Sequence, residues 1–187
     1  MTAAATPLSL CVLTVSDTRS AANDTSGDYL VDALSAAGHR LHERAILPDD
    51  RYRLRALVSR WIAEENVDGI LVTGGTGFTG RDSTPEALLP LLDKTMPGFG
   101  EIFRAISFEE IGTSSLQSRA FAGLANGTFL FCLPGSTSAC RTAWERLIRA
   151  QLDSSTKPCN LAALGPRLLE SPLKDVRVLD QGRSTTE

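Results

Sequence analysis

The chain has 187 residues, of which 42% are hydrophobic, and this length and composition fit one well-cored domain. Its formal net charge of −3, with lysines and arginines spread along the chain, excludes a basic surface for DNA or RNA. The N-terminus lacks a signal-peptide pattern and no apolar run approaches the roughly 18 residues of a membrane span, so we expect a cytoplasmic protein with no nucleic-acid or membrane partner.

The first half of the chain alternates short apolar runs with amphipathic stretches of helical length. This pattern predicts strands at residues 8–17, 40–47 and 68–75. It predicts helices at residues 26–38 and 51–66. The second strand is the most polar of the three, which favours a position near an edge of the sheet.

The same alternation continues through the second half of the chain. A strand is predicted at residues 128–136, and helices are predicted at residues 84–94, 97–112 and 137–153. Residues 113–127 have no clear period and fit a short helix followed by a turn.

Strands that are apolar throughout and separated by helices are typical of an α/β fold. They predict a mostly parallel sheet that helices cover on both faces. We divide the chain into a flexible N-terminus (1–7), a single domain (8–170) and a C-terminal tail (171–187).

Neither the cysteines nor the histidines have the spacing of a metal site. The two histidines, His39 and His42, lie on a loop-to-strand stretch without a third ligand nearby, and we assign them to the surface. The cysteines lack a C-x-x-C pair, and we interpret them as buried free thiols: Cys11, Cys132, Cys140 and Cys159.

Four polar loops follow the predicted strands: "SDTRS", "LPDD", "GGTGFTGRD" and "LPGSTS". In an open α/β sheet the carboxyl ends of parallel strands meet at one edge, where ligands bind. We therefore predict the functional site at this edge. In "LPGSTS", Gly135 allows close approach of a ligand to the backbone and Ser136 or Thr137 can cap a helix, although a plain strand-to-helix turn explains the stretch equally well.

The glycine-rich loop matches two phosphate-site motifs only in part. Gly75, Gly77 and Gly80 satisfy G-x-G-x-x-G, but a dinucleotide site also needs a second strand that ends in an acidic residue about 20 residues later. Asp93, the nearest acidic candidate, ends a predicted helix, and no strand is predicted after it. A P-loop needs lysine and a hydroxyl residue after its last glycine, where this chain has "RD".

What remains is an anion cradle with a carboxylate beside it. Consecutive glycines let backbone N–H groups approach a ligand closely. Asp82 would repel an anion unless a cation stood between them, which suggests a magnesium ligand. A tight turn in which Asp82 only interacts with the helix dipole is an equally good explanation. Asp49 and Asp50 form the next acidic pair, and one of them can cap the following helix while the other faces the site.

An anionic ligand at this edge needs positive charge from individual side chains, because the net charge of the chain supplies none. Each candidate by itself is typical of a solvated surface residue. The candidates are Arg81, Arg104, Arg119 and Arg141.

Three longer stretches occur in a specific order: "LVTGGTGFTGRDSTPEALLPL", "MPGFGEIFRAISFEEIGTSSLQSRA" and "LPGSTSACRTAWERLIRAQLD". Together with "TVSDT" and "LPDD" they resemble the MoaB/MogA family of molybdenum-cofactor biosynthesis proteins, most closely its MoaB branch. The resemblance implies a three-layer α/β/α sandwich of the molybdopterin-binding domain type. It also implies a homotrimer or a hexamer of two trimers that works with other enzymes of the cofactor pathway.

Catalytic members of that family adenylylate molybdopterin. The terminal phosphate of the pterin attacks the α-phosphate of Mg-ATP and pyrophosphate leaves. The resemblance assigns Asp49 and Asp82 to the two functional carboxylates, with Mg²⁺ as their ion. It assigns the phosphate-binding loop to Gly74, Gly75, Thr76 and Gly77, and it places in the ligand cleft Ser16, Asp17, Glu86, Pro134, Gly135 and Ser136.

The "PGSTSAC" stretch has the MoaB form, and members of that branch are not uniformly active adenylyltransferases. Two alternatives therefore stand beside the enzyme. One is a non-catalytic molybdopterin-binding or scaffold protein of the same pathway, and the more remote one is a nicotinamide-dependent oxidoreductase.

Overall fold

The computed structural model describes residues 6–169, which form a six-stranded, mostly parallel sheet. The strands are β1 (Ser9–Val15), β2 (Arg40–Leu47), β3 (Gly69–Thr73), β4 (Lys94–Thr95), β5 (Phe121–Ala125) and β6 (Thr128–Leu133). Their order across the sheet is β2-β1-β3-β6-β5-β4. Strands β2, β1, β3 and β6 are parallel to one another. Strand β5 pairs with β6 in antiparallel fashion, and β4 pairs with β5 in the same way.

Helices follow the strands along the chain. They are α1 (Thr25–Ala36), α2 (Arg51–Ala63), α3 (Thr84–Leu88), α4 (Pro97–Ile111), α5 (Thr137–Ala143) and α6 (Arg149–Leu152). A π-helical segment, Trp144–Ile148, joins α5 to α6. Short 3₁₀ segments occur at Leu89–Leu91, Gly112–Gln117 and Ala162–Arg167. No helix within residues 6–169 combines the length and apolar character needed to cross a membrane.

The sheet buries a separate apolar layer on each face. Because side chains alternate along a strand, Leu10 and Val12 of β1 pack with α1 and α4, whereas Cys11 and Leu13 pack with α2. The largest fully buried side chain, Trp61 of α2, lies in the second layer. This arrangement confirms the predicted α/β/α sandwich.

The structure corrects the prediction for the second half of the chain. Residues 113–127 contain strand β5, which the absence of a period concealed, and the chain turns into β6 through Asn126 and Gly127 at φ of 46° and 81°. These are the positive angles of a tight Asn-Gly hairpin. The expectation that no strand follows Asp93 is also wrong, because β4 begins at the next residue.

The predicted helix at 84–94 is shorter than expected. Helix α3 ends at Leu88, and the chain continues as a 3₁₀ segment that contains Pro90. Proline lacks the N–H group that a longer α-helix would need at this place. The prediction of a flexible N-terminus and a C-terminal tail falls largely on residues 1–5 and 170–187, which lie outside the described part of the chain.

Two surface and core assignments also change. Cys159 is exposed, whereas the other three cysteines are buried free thiols as expected. His39 is buried, and its Nδ1 accepts a hydrogen bond from the N–H of Leu8 at 3.2 Å. Burial lowers the pKa of His39, so its imidazole serves as a neutral acceptor that joins the N-terminal strand to the end of α1.

Asp24, at the N-terminus of α1, is fully buried, and its replacement by alanine is expected to destabilise the fold by about 2 kcal/mol. Its carboxylate accepts hydrogen bonds from the N–H of Gly27 at 3.1 Å, the hydroxyl of Thr14 at 2.7 Å and Arg44 at 2.8 Å. Asp24→Ala therefore removes the helix cap and one of the two carboxylates that pair with Arg44, the other being Asp28. Urea unfolding at neutral pH measures the loss.

The matched control is Asp50→Ala at the N-terminus of α2. Asp50 caps that helix through the N–H groups of Tyr52 and Arg53. Loss of a cap alone costs about 1 kcal/mol. Equal losses for the two variants would contradict the role assigned to the Arg44 contact.

Candidate functional site

The carboxyl ends of β1, β3 and β6 surround a cleft of about 520 Å³. One wall consists of the loops after these strands, and the other consists of α4 and the 3₁₀ segment that follows it. Nine of the predicted site residues line it: Ser16, Gly74, Gly75, Thr76, Gly77, Asp82, Pro134, Gly135 and Ser136. Asp17, Asp49 and Glu86 do not line the cleft. Asp17 pairs with Arg81 of the glycine loop, Asp49 accepts from Ser83 at the start of α3, and Glu86 lies on α3 and pairs with Arg119.

The glycine loop (74–82) is held against the strand ends by its own backbone. Gly74 has a φ of +111°, and a Cβ atom there would lie 2.1 Å from the carbonyl oxygen of Val15. Gly75 has a φ of +64°, and a Cβ atom there would lie 2.5 Å from Oδ2 of Asp49. Thr84 fixes the loop from the other side, since its hydroxyl donates to the carbonyl oxygen of Gly74 at 3.0 Å. The first two glycines are thus needed for the close packing of backbone and carboxylate.

Gly80, the last glycine of the G-x-G-x-x-G match, has an ordinary φ and no atom within 4 Å of its Cβ position. Asp93 is the nearest acidic residue to the position that a dinucleotide motif requires. It accepts a hydrogen bond from the N–H of Asn126 at 2.7 Å. It precedes the antiparallel edge strand β4 and does not end a parallel strand. It therefore lies outside the place where a dinucleotide site needs its acidic residue.

Arg119 clamps the glycine loop from the strand side. Its Nε donates to the carbonyl oxygen of Gly77 at 2.7 Å and its second terminal nitrogen donates to that of Asp82 at 2.8 Å. The remaining terminal nitrogen pairs with Glu86. Glu86 and Arg119 therefore hold the shape of the loop, and Arg119 is not one of the residues that line the cleft.

The other three arginines proposed from the sequence are also used elsewhere. Arg81 forms two hydrogen bonds with Asp17, at 2.6 and 3.0 Å, and the pair lowers the pKa of Asp17. Arg104 donates to the carbonyl oxygen of Ala120 at 3.1 Å, and Arg141 lies over the ring of Tyr29 at 5.0 Å. None of the three lines the cleft, which corrects the expectation that they supply its positive charge.

Asp82 lies in the cleft as an ionised carboxylate. Its Oδ2 accepts hydrogen bonds from the N–H of Thr79 at 2.8 Å and from the Thr79 hydroxyl at 2.6 Å. Partial burial acts to raise the pKa of Asp82, but these bonds, a bond from the N–H of Gly77 and the charge of Arg119 outweigh it and lower the pKa. The turn therefore stabilises the negative charge.

The pKa of the neighbouring Asp49 is shifted in the opposite direction from that of Asp82. Burial raises the pKa of Asp49, and the charges of Asp82 and Asp17 add to this, although hydrogen bonds from Ser83 act against it. The hydroxyl of Ser83 donates to Oδ1 of Asp49, as does its N–H at 3.1 Å. The neighbouring Asp50 caps α2, so the predicted division of work between the two aspartates is confirmed for the cap.

Asp49→Asn is expected to raise the melting temperature at pH 7 in metal-free buffer by about 1–3 °C. A carboxyl whose pKa is raised in the folded state gives its full stabilisation below the unfolded value, 3.8, and loses it as the pH rises through the folded value. Asparagine mimics the protonated form and still accepts from Ser83. Thermal unfolding of both proteins at pH 7 and near pH 3.5 tests this, because the difference should vanish at the lower pH. A variant less stable than the parent at pH 7 would contradict it.

The carboxylate of Asp82 fits a magnesium ion that arrives with a nucleotide better than a resident ion. Among residues 6–169, no group of three or more His, Cys, Asp or Glu side chains is arranged to hold a metal. Magnesium in nucleotide sites is held by one or two carboxylates together with phosphate oxygens and water. Asp82 lines the cleft and can supply such a carboxylate, whereas Asp49 lies outside the lining.

Sequence reasoning missed two parts of the cleft. Arg19, in the loop after β1, lines it with a half-buried guanidinium. The wall opposite the glycine loop carries small polar side chains: Ser107, Ser114, Ser115, Gln117 and Ser118. The position of Arg19 in a strand-end loop was a signal for the first, whereas the second depends on how α4 packs against the sheet.

Comparisons with known proteins agree with this architecture. The family model described as "Probable molybdopterin binding domain" matches residues 11–154. Molybdenum cofactor biosynthesis protein B of Escherichia coli (strain K12) is 57% identical over 154 residues, which cover 82% of this chain and 91% of that protein. The protein of the same name from Bacillus subtilis (strain 168) is 42% identical over 142 residues, covering 75% of this chain and 84% of its own.

Solved structures give the same result. A crystal structure of a molybdenum cofactor biosynthesis protein B matches with a TM-score of 0.78 at 41% identity, covering 82% of this chain and 96% of that one. The tungsten cofactor synthesizing protein MoaB from Pyrococcus furiosus matches with a TM-score of 0.67 at 36% identity, over 75% and 90% of the two chains.

Proposed function

The chain belongs to the family of probable molybdopterin binding domains, and from that premise we propose that it acts in molybdenum cofactor biosynthesis as a molybdopterin adenylyltransferase. Its substrates are molybdopterin and ATP, and its products are adenylylated molybdopterin and pyrophosphate. The relatives that match over most of their length carry the name molybdenum cofactor biosynthesis protein B, which supports the pathway.

The observation that carries the proposal is the meeting of three features in one cleft. The glycine loop brings the backbone of three glycines, Gly74, Gly75 and Gly77, to the cleft without a side chain, as a phosphate cradle requires, although the N–H of Gly74 itself donates to the carbonyl oxygen of Leu133. Asp82 adds a carboxylate whose charge the turn stabilises. The serine-rich wall faces both and offers hydrogen-bond donors and acceptors that suit the polar edges of a pterin ring.

The proposed reaction requires little covalent chemistry from the protein. An oxygen of the terminal phosphate of the pterin forms a bond to the α-phosphorus of ATP, and the bond from that phosphorus to the bridging oxygen of pyrophosphate breaks. The protein holds the two phosphates in line and offsets their charge. The loop from Gly74 to Gly77 orients one phosphate, and Thr84 and Arg119 keep the loop in place.

Magnesium, when bound, would neutralise phosphate charge on the nucleotide. Asp82 would hold it, with Asp49 as the second carboxylate. Asp49 is partly buried and already accepts from Ser83, so it acts from the outer side of the loop. Its raised pKa means that it gives up its proton less readily than Asp82 does.

A non-catalytic molybdopterin-binding or scaffold protein of the same pathway is the second candidate. Both carboxylates already accept hydrogen bonds within the chain, from Ser83 and Thr79, and in such a protein they would serve to shape the loop. Both proposed functions predict that the protein binds molybdopterin, but only the enzyme forms adenylylated molybdopterin.

One experiment separates them. The purified full chain is incubated with molybdopterin, ATP and magnesium chloride, and the products are identified by mass spectrometry. The enzyme gives adenylylated molybdopterin and pyrophosphate in equal amounts, and EDTA stops the reaction. Bound pterin without product would overturn the enzyme and favour the scaffold. Absence of pterin binding would overturn both.

The quaternary structure and location follow the family in this proposal. We expect a homotrimer or a hexamer in the cytoplasm, delivering its product to a later enzyme of the same pathway. A light-scattering mass of the purified protein distinguishes the two assemblies, and a monomeric mass would contradict both.

A further inference from the structure

The part of the glycine loop that lines the cleft supplies no positively charged side chain. Among the side chains that line it in the described part of the chain, Arg19 is the single cation. Asp82, in the same lining, is anionic. A phosphorylated ligand in this cleft meets a carboxylate on one side and needs a fixed positive charge on another.

Arg19 is held in place by contacts that leave it able to bind. One terminal nitrogen donates to the hydroxyl of Thr25 at 3.1 Å, and the other donates to the carbonyl oxygen of Gly135 at 3.2 Å. Its backbone N–H donates to the hydroxyl of Ser16 at 3.2 Å. The two side-chain bonds use only part of the guanidinium's planar fork of N–H donors, and that fork matches the geometry of a phosphate.

The nearest carboxylate does not neutralise Arg19 fully. Asp24 lies 3.7 Å from the Arg19 guanidinium, beyond a good hydrogen bond, whereas Arg44 pairs with the same carboxylate at 2.8 Å. Arg19 therefore shares the charge of Asp24 with Arg44, which also pairs with Asp28 at 2.7 Å. Asp24 still attracts Arg19 and helps to keep it turned toward the strand ends.

We propose that Arg19 is the anion-binding residue of the cleft and contacts a phosphoryl group of the ligand. This deepens the proposed function, on which it rests for the identity of the ligand, and it assigns the role that the sequence had offered to four other arginines. Arg19 bonds to the carbonyl oxygen of Gly135 in the "PGS" turn. It thereby places the positive charge where the loops after β1 and β6 meet.

The test uses inorganic pyrophosphate as the probe, titrated calorimetrically into the full chain without magnesium. Arg19→Gln should weaken pyrophosphate binding by about 10-fold or more, the change expected when a charge-assisted hydrogen bond is lost. Arg19→Lys keeps the charge without the fork and should recover part of the affinity. Arg141→Gln is the matched control, because it removes the same charge from an exposed position over Tyr29 and should bind as the parent does.

Two results would overturn the proposal. One is unchanged pyrophosphate affinity in Arg19→Gln, and the other is the absence of measurable pyrophosphate binding to the parent at millimolar concentration. A melting temperature of Arg19→Gln equal to that of the parent shows that the fold is intact. If this variant unfolds, Arg19→Lys decides: a pyrophosphate affinity below that of the parent supports the proposal, and an affinity equal to that of the parent overturns it, because the planar fork would then contribute nothing. Failure of the molybdopterin assay with a positive result here would sink the proposed function and leave the anion site standing.

Discussion

Asp82→Asn is expected to reduce the formation of adenylylated molybdopterin by about 100-fold or more while the protein stays folded. The substitution removes the negative charge that lies in the cleft beside the glycine loop. It keeps an oxygen that can accept from the N–H and hydroxyl of Thr79, so the turn should persist. Initial rates at saturating ATP, together with a pterin-binding titration, measure the effect.

Two comparisons make this result interpretable. Glu101→Gln removes an exposed carboxylate from α4 and should leave the rate unchanged. Pterin binding by Asp82→Asn should stay within a few-fold of the parent, because a catalytic carboxylate acts on the transition state more than on the bound substrate. A normal rate in Asp82→Asn would show that the carboxylate only shapes the turn.

Gly74→Ala should destabilise the fold by about 3–5 kcal/mol, the largest loss of stability expected from any single change in the glycine loop. The methyl group would stand 2.1 Å from the carbonyl oxygen of Val15, and the backbone at φ +111° disfavours any side chain. The loop must therefore move away from the end of β1. Chemical unfolding measures the loss, and pterin binding should fall with it.

Gly80→Ala is the control within the same motif. Its Cβ position is open and its φ lies outside the left-handed region, so alanine should change stability by about 0.5 kcal/mol or less. If both alanine variants were equally stable, the packing of Gly74 against β1 would not be what holds the loop. If both were strongly destabilised, the literal G-x-G-x-x-G spacing would matter more than the contacts indicate.

The sequence predicted the parts of the fold that local pattern determines. Strands β1, β3 and β6 are continuous apolar or β-branched runs, β2 is more polar, and all four were predicted. Strand β5 consists largely of alanine, glycine and leucine, residues without a strong strand preference, and it exists because it pairs with β6 and carries β4. The one sequence signal for β5 was the Asn-Gly pair that forms the turn between β5 and β6.

Some features of the site were likewise predictable from the sequence, and others depend on packing. The position of the cleft at the strand ends and the helix cap formed by one of the two neighbouring aspartates followed from sequence, whereas the other, Asp49, lies outside the cleft lining. The resemblance to the MoaB/MogA family is confirmed. The choice among arginines did not follow, because a sequence does not show which arginine side chains packing turns toward a cleft, even though Arg19 lies in a strand-end loop. Only packing separates Arg19, which faces the cleft, from Arg119, which faces the outside of the loop.

The clamp formed by Arg119 has a consequence for how this protein can change over evolutionary time. In the glycine loop it binds backbone carbonyl oxygens, those of Gly77 and Asp82, and these oxygens are the same for every amino acid. Substitutions between them, at Gly80 for example, leave these two bonds intact, whereas loss of Arg119 removes both at once and leaves the loop held at its Gly74 end alone. Residues at the tip of the loop can therefore be substituted, and new ligand contacts can arise there, as long as Arg119 is retained.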